Sequence, residues 1–156
     1  MVGGLIALVV VLAAASAAGF VLRQRQGRFR QGKPGQPSPS DVLSALDLGA
    51  PLGARATLVQ FSTEVCAYCG PTRELLTEVA KGRDGVSFVE IDAAERMDLT
   101  RRLRVLSTPT VLVLDALGGI TSRASGPLRK ADLLTAVGAV VDAGGTPLVS
   151  HQIRRQ

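Results

Sequence analysis

Past position 40, the hydrophobic and polar positions of this chain switch repeatedly between the two-residue period of a strand and the wider period of an amphipathic helix. The run Thr57-Leu58-Val59-Gln60-Phe61 predicts a buried strand over 58–61. A helix follows over 71–81, with Leu75, Leu76 and Val79 on its apolar side. Gly82 and Asp84-Gly85 mark a turn into a second strand, 86–91. A second helix is predicted over 94–104. Strands at 110–114 and 120–124 flank Asp115-Ala116-Leu117-Gly118-Gly119, which reads as a hairpin loop. A last helix, 128–141, turns Leu133, Leu134, Val137 and Val140 inward. Ahead of these, Ser40 has the position of an N-cap for a short helix over 41–48 carrying Val42, Leu43, Leu46 and Leu48. A strand-helix-strand unit followed by a hairpin and a helix is an α/β arrangement built on a central mixed sheet flanked by helices.

The N-terminal part is patterned differently. Val2 to Leu22 carries no charge and one polar side chain, Ser16, and about 20 apolar residues span a bilayer. Ala15-Ser16-Ala17 resembles a signal cleavage site, but the basic segment that precedes the apolar core of a signal peptide is missing. The expectation is one uncleaved transmembrane helix at 1–22. Arg23, Arg25, Arg28, Arg30 and Lys33 follow it with no acid before Asp41, and the positive-inside rule puts that flank, and the domain after it, on the cytoplasmic side. Residues 31–40, rich in Pro, Gly, Ser and Gln, read as a tether. The predicted organisation is therefore an anchor at 1–22, a basic flank and tether at 23–40, one domain at 41–143 and a polar tail at 144–156.

Charge narrows the partners. The five positive charges of the flank equal the whole formal net charge of +5, so the remainder is balanced. With aromatic residues at 3%, base stacking has little to work with, and no nucleic-acid partner is expected. The flank is a topology signal that also meets anionic lipid.

The chemistry is concentrated in Cys66-Ala67-Tyr68-Cys69, two thiols at the junction of a predicted strand and helix. Disulfide exchange needs one accessible thiolate to attack and a second thiol to resolve the mixed disulfide. A helix start favours negative charge on the first sulfur and holds its pKa below the ordinary thiol value. Cys66 is the expected nucleophile and Cys69 the resolving thiol. A second signal, Ser107-Thr108-Pro109-Thr110, lies just before the strand at 110–114.

With this spacing, residues 57–143 resemble the thioredoxin-like family, and the match extends to small membrane-anchored members from high-GC bacteria. The resemblance implies a thioredoxin fold shortened at its N-terminal end, a cis bond before Pro109, and a Thr108 backbone offered to substrate in strand-like pairing. It also implies protein disulfide or dithiol substrates, a redox donor that the sequence does not identify, and no cofactor. Several positions depart from the family pattern. Ala67-Tyr68 stands in place of Gly-Pro, Val65 in place of an aromatic residue, and Gln60 where a buried acid accepts a proton; Glu64 or a water is the candidate substitute. A shifted register with Cys69-Gly70-Pro71-Thr72 as a one-cysteine site fits the distance from Phe61 less well.

The remaining candidates are weaker. His151 is the single histidine, set in a polar tail, and two cysteines without a third convergent ligand make a poor zinc site. Arg101-Arg102-Leu103-Arg104 reads as a solvated helix face. The functional expectation is a membrane-tethered thiol-disulfide oxidoreductase of the protein-disulfide reductase type. The alternatives are an extracytoplasmic protein of disulfide formation or cytochrome maturation and a non-enzymatic Cu(I)-binding protein.

Overall fold

The computed structural model describes residues 10–17, 19, 29–31 and 42–144. Its order is β1 (Arg30–Gln31), α1 (Ala45–Leu48), β2 (Ala56–Ser62), α2 (Cys69–Lys81), β3 (Val86–Asp92), α3 (Met97–Arg102), β4 (Thr110–Asp115), β5 (Ile120–Ser125) and α4 (Lys130–Gly144). The strands form one mixed sheet in the order β1-β5-β4-β2-β3. Only β2 and β3 run parallel, as the helical connection between them requires. β2 lies inside the sheet and every one of its residues is buried, which is why Leu58-Val59-Gln60-Phe61 reads as a continuous run without alternation.

The pleat of β2 divides the core in two. Val59 and Phe61 join Leu43, Ile91, Leu99, Leu103, Leu112 and Leu114 on one face. Ala56 and Leu58 join Leu76, Val79, Val111, Val113, Leu133 and Val137 on the other, beneath α2 and α4. Of the inward positions expected of the helices over 71–81 and 128–141, Leu76, Val79, Leu133, Val137 and Val140 are buried, while Leu75 and Leu134 are half-buried.

Several expectations about the elements need correction. The short N-terminal helix is one turn, Ala45–Leu48, capped by Ser44. Ser44 Oγ accepts from the Asp47 amide at 3.2 Å while the Ser44 amide donates to Asp47 Oδ2 at 2.8 Å, a reciprocal cap that outcompetes an earlier start. Val42 is extended instead, bridging to Gly119; Ser40 and Asp41 lie outside the described residues. The helix expected over 94–104 shrinks to Met97–Arg102. Asp92 Oδ1 accepts the Ala94 and Glu95 amides at 2.7 and 3.3 Å and holds that segment in a turn. At the other end Arg104, at φ 50°, turns the chain out of the helix. The hairpin loop stands as read, and Gly118 is required there: at φ 85°, a Cβ would come within 2.0 Å of the Leu43 carbonyl oxygen.

Part of the expected flank is structured, since Arg30 and Gln31 pair antiparallel with Arg123 and Ser122 at the free edge of β5. Among the described residues no strand covers the outer edge of β3. The anchor expected at 1–22 falls partly outside the described residues; 10–17 is helical and exposed. Among the described residues no helix is long and apolar enough to cross a membrane. The polar tail, with His151, lies outside the described residues.

Candidate functional site

β2 carries the chain from the sheet to the dithiol. It ends at Ser62, and the loop Thr63-Glu64-Val65 delivers Cys66 just ahead of α2, whose first residue is Cys69. The two sulfurs are joined in a disulfide of 2.01 Å, with Cα atoms 5.4 Å apart. They are unequal in exposure: Cys69 is 3% exposed, whereas Cys66 is half-buried. That asymmetry suits an attacking sulfur outside and a resolving sulfur inside. The N-cap position is Tyr68, which makes no side-chain cap, and no acid lies in the first turn. The Cys69 amide donates to the Cys66 carbonyl at 3.3 Å and Pro71 has no N–H, so the helix start offers chiefly the positive end of its dipole, without a competing carboxylate. Pro71 sits at the third helical position, where an absent N–H costs little.

The second sequence signal lies at the same end of the sheet. β4 pairs antiparallel with β2, Thr110 standing opposite Phe61, so Pro109 and Thr108 continue alongside Ser62 and Thr63. Thr63 Oγ1 and Thr108 Oγ1 share a hydrogen bond of 3.1 Å, which ties the loop before Cys66 to the loop before β4. The Thr108–Pro109 bond is cis. The Pro109 carbonyl accepts from the Gly126 amide at 2.8 Å, and Thr110 Oγ1 donates to the Ser107 carbonyl at 2.7 Å. The structure thus brings Cys66, Cys69, Thr108 and Pro109 to one end of the sheet. Around them Val65 and Leu106 are 97% and 93% exposed, and Tyr68 is exposed beside them.

Behind the disulfide lies Gln60, fully buried on the face that α2 covers. Its Nε2 donates to the Cys69 carbonyl oxygen at 3.0 Å and faces Glu90 Oε1 at 3.5 Å. Glu90 stands opposite Gln60 in the parallel register, and Arg73 of α2 grips it with two bonds, Nε to Oε2 at 2.5 Å and Nη2 to Oε1 at 2.7 Å. The Arg73 guanidinium holds the Glu90 carboxyl below its usual range. Glu64, the acid proposed from sequence as a substitute proton acceptor, is exposed, and the carboxylate nearest Gln60 is Glu90. Sequence reading missed Glu90 because only the pairing of β3 with β2 brings it beside Gln60, and it missed Arg73, one turn beyond Cys69 on α2, because its partner is that carboxylate.

It also missed Arg123. From β5 this half-buried side chain donates to the carbonyl oxygens of Leu103 and Arg104 at 2.5 and 2.8 Å, where α3 ends and the loop toward Leu106 and Pro109 begins. Burial pushes its pKa down. In the arginine cluster Arg102 is not simply solvated, since it pairs with Asp47 at 3.1 Å. Among the described residues, no three His, Cys, Asp or Glu side chains gather as metal ligands.

The geometry agrees with the comparisons. A thioredoxin family model matches residues 51–139, more than half of the chain. This chain belongs to the thioredoxin family. Its fold is shared with chloroplastic thioredoxin z, at 29% identity and a TM-score of 0.51 over 58% of this chain and 80% of that one. Fasciola hepatica thioredoxin shares it at 20% identity and a TM-score of 0.50, covering 56% and 83% of the two chains. Thioredoxin-2 of the malaria parasite follows at 17% and 0.50, covering 55% and 82%. No curated protein sequence matches. A thioredoxin domain with a Cys66–Cys69 pair has the general make-up of a thiol-disulfide oxidoreductase, and the family implies protein disulfides as substrates.

Proposed function

We propose that this protein reduces disulfides in other proteins at a membrane surface, with Cys66 as nucleophile and Cys69 as resolving thiol. The observation that carries the reading is the unequal burial of the two sulfurs at the start of α2, beside Thr108 and Pro109. In the dithiol state the Cys66 thiolate attacks one sulfur of a client disulfide, and the client's S–S bond breaks to leave one client thiol and a mixed disulfide. Cys69 then loses its proton and attacks Cys66 Sγ; the mixed disulfide breaks and the second client thiol departs. The product is the Cys66–Cys69 disulfide seen here, which a dithiol donor returns to the reduced state. Thr108, just ahead of β4, offers its backbone to an extended client segment. Val65, Tyr68 and Leu106 supply apolar contact around it.

Tethering is supported by the uncharged run from Val2 to Leu22 followed by five basic residues, a charge asymmetry that favours the cytoplasmic side for the domain. A cytosolic face is where thiols are kept reduced, so reduction is the direction favoured.

The test is the equilibrium potential of the pair in a graded thiol-disulfide buffer, together with reduction of insulin disulfides. A potential near about −270 mV supports the reductase, and one near about −120 mV sinks it in favour of an oxidant. Alkaline extraction and side-specific thiol labelling of membranes test the anchor. Recovery in the soluble fraction, or labelling from outside, overturns the cytoplasmic tether.

A further inference from the structure

Hydrogen-bond accounting beneath the disulfide leaves one acceptor over. Both oxygens that Gln60 Nε2 faces, the Cys69 carbonyl at 3.0 Å and the Glu90 carboxylate at 3.5 Å, accept only, so the nitrogen belongs on that side and the amide's orientation is settled. Oε1 is then buried with no hydrogen-bond partner among the described residues. Apolar Leu58, Leu76, Val111 and Val113 line that face, and the buried hydroxyls of Ser62 and Thr72 on β2 and α2 make no hydrogen bond to Oε1. A buried amide oxygen without a donor is destabilising, whereas an apolar side chain of the same shape there is not.

Reduction creates a donor on the residue whose carbonyl Gln60 already grips. A dithiol that gives two electrons and two protons to the Cys66–Cys69 bond, and leaves as its own disulfide, delivers one proton to each sulfur. Cys66 releases its proton to solvent as it becomes the thiolate. The Cys69 thiol, on a residue 3% exposed, is shut away from water. We propose that Gln60 Oε1 accepts the Cys69 S–H bond in the dithiol state, making Gln60 a positioning residue that is unpaired in the disulfide and paired once the disulfide opens. Glu90 does not compete for the proton, because Arg73 holds it as a carboxylate in two hydrogen bonds. The inference rests on the oxidoreductase reading above and adds its regulation. Gln60 biases the pair toward the dithiol, and it keeps on Cys69 the proton that must leave before Cys69 attacks Cys66 Sγ.

The experiment compares the full chain with Gln60→Leu and Gln60→Met. Both variants also strip the donor from the Cys69 carbonyl and from Glu90, but those losses fall equally on the two redox states and cancel in the potential. The expected result is a roughly tenfold shift of the dithiol-disulfide equilibrium toward the disulfide, which is about 30 mV more negative. In Cys66→Ser only one thiol remains, because the chain has two cysteines. Its S–H infrared band is expected below the free-thiol frequency and is expected to return to it when Gln60→Leu is added. A potential unmoved within twofold, as when water satisfies Oε1 in both states, overturns the proposal, as does a band that ignores Gln60. Should the Gln60 variants fail to fold, the side-chain carbonyl resonance of Gln60 in the wild-type chain decides: a shift on reduction supports the bond, and no shift overturns it. The infrared band is read without turnover, so absent insulin reduction with the band displaced counts against the reductase alone.

Discussion

Arg123 offers the sharpest test of how the sheet holds the substrate end of the site. Its guanidinium donates to the carbonyl oxygens of Leu103 and Arg104 at 2.5 and 2.8 Å. Leu103 and Arg104 follow directly on the end of α3, where carbonyls lack intrahelical partners, and Arg104 is at φ 50°. Arg123→Met keeps most of the apolar stem and removes both donors. A hydrogen bond from a charged group contributes about 1.5–3 kcal/mol, and the two here share one side chain and are partly reached by water. A loss of about 2–3 kcal/mol is therefore expected. At about 4–8 °C per kcal/mol for a domain near 100 residues, the Tm falls by roughly 10–20 °C. Arg123→Lys, which reaches one carbonyl but not both, is expected midway. Thermal unfolding by circular dichroism on the oxidised protein reads the stability. Insulin reduction below the transition reads whether the loop through Leu106 to Pro109 keeps its place. A Tm for Arg123→Met within about 2 °C of wild type would refute the claim that this clamp holds the loop.

Three further outcomes follow from the same structure. Cys69→Ser is expected to accumulate mixed disulfides between Cys66 and client proteins, resolved on non-reducing gels, and Cys66→Ser none; trapping through Cys69 would reverse the assigned roles. Leu76→Ala removes a fully buried side chain between α2 and β2 and is expected to cost about 2–5 kcal/mol in denaturant unfolding, a loss under 1 kcal/mol contradicting its central place. The Asp47 carboxyl is held down to about 2, first by the Ser44 amide and also by Arg102. Because its folded pKa lies below the unfolded one, that stabilisation is present above about pH 4 and is lost as pH falls toward 2. The Asp47–Arg102 pair lies at the surface and is part-exposed, so the effect is at most about 1 kcal/mol. Asp47→Asn should flatten the stability profile in that window, lowering stability at pH 7 by that amount and converging with the wild type as pH approaches 2, read by denaturant unfolding across pH.

Most of the architecture was legible in local pattern. The uninterrupted burial of β2, the 3.6-residue spacing of Leu76, Val79, Leu133 and Val137, and the turn at Asp84-Gly85 are short-range signals, and each element formed where they pointed. Where local signals competed, the reading missed. Ser40 and Ser44 are both plausible caps, and only the reciprocal bond with Asp47 selects Ser44. The helix expected from 94 lost its first turn to the Asp92 carboxylate.

The candidate site divides along the same line. Cys66 and Cys69 belong to one strand-to-helix junction, and Thr108-Pro109 announces the start of β4, so their residue types and spacing alone point to dithiol chemistry. Contacts that depend on sheet order carry no such trace. Glu90 meets Gln60 because β3 lies parallel to β2 in one register, Arg73 reaches Glu90 across 17 residues, and Arg123 meets Leu103 and Arg104 because β5 lies beside β4. The chemical identity of the reacting sulfurs is a local property of the chain. The surroundings that set their exposure, hydrogen bonding and proton affinity come from strands and helices far apart in sequence, and only burial in a common core brings those into contact.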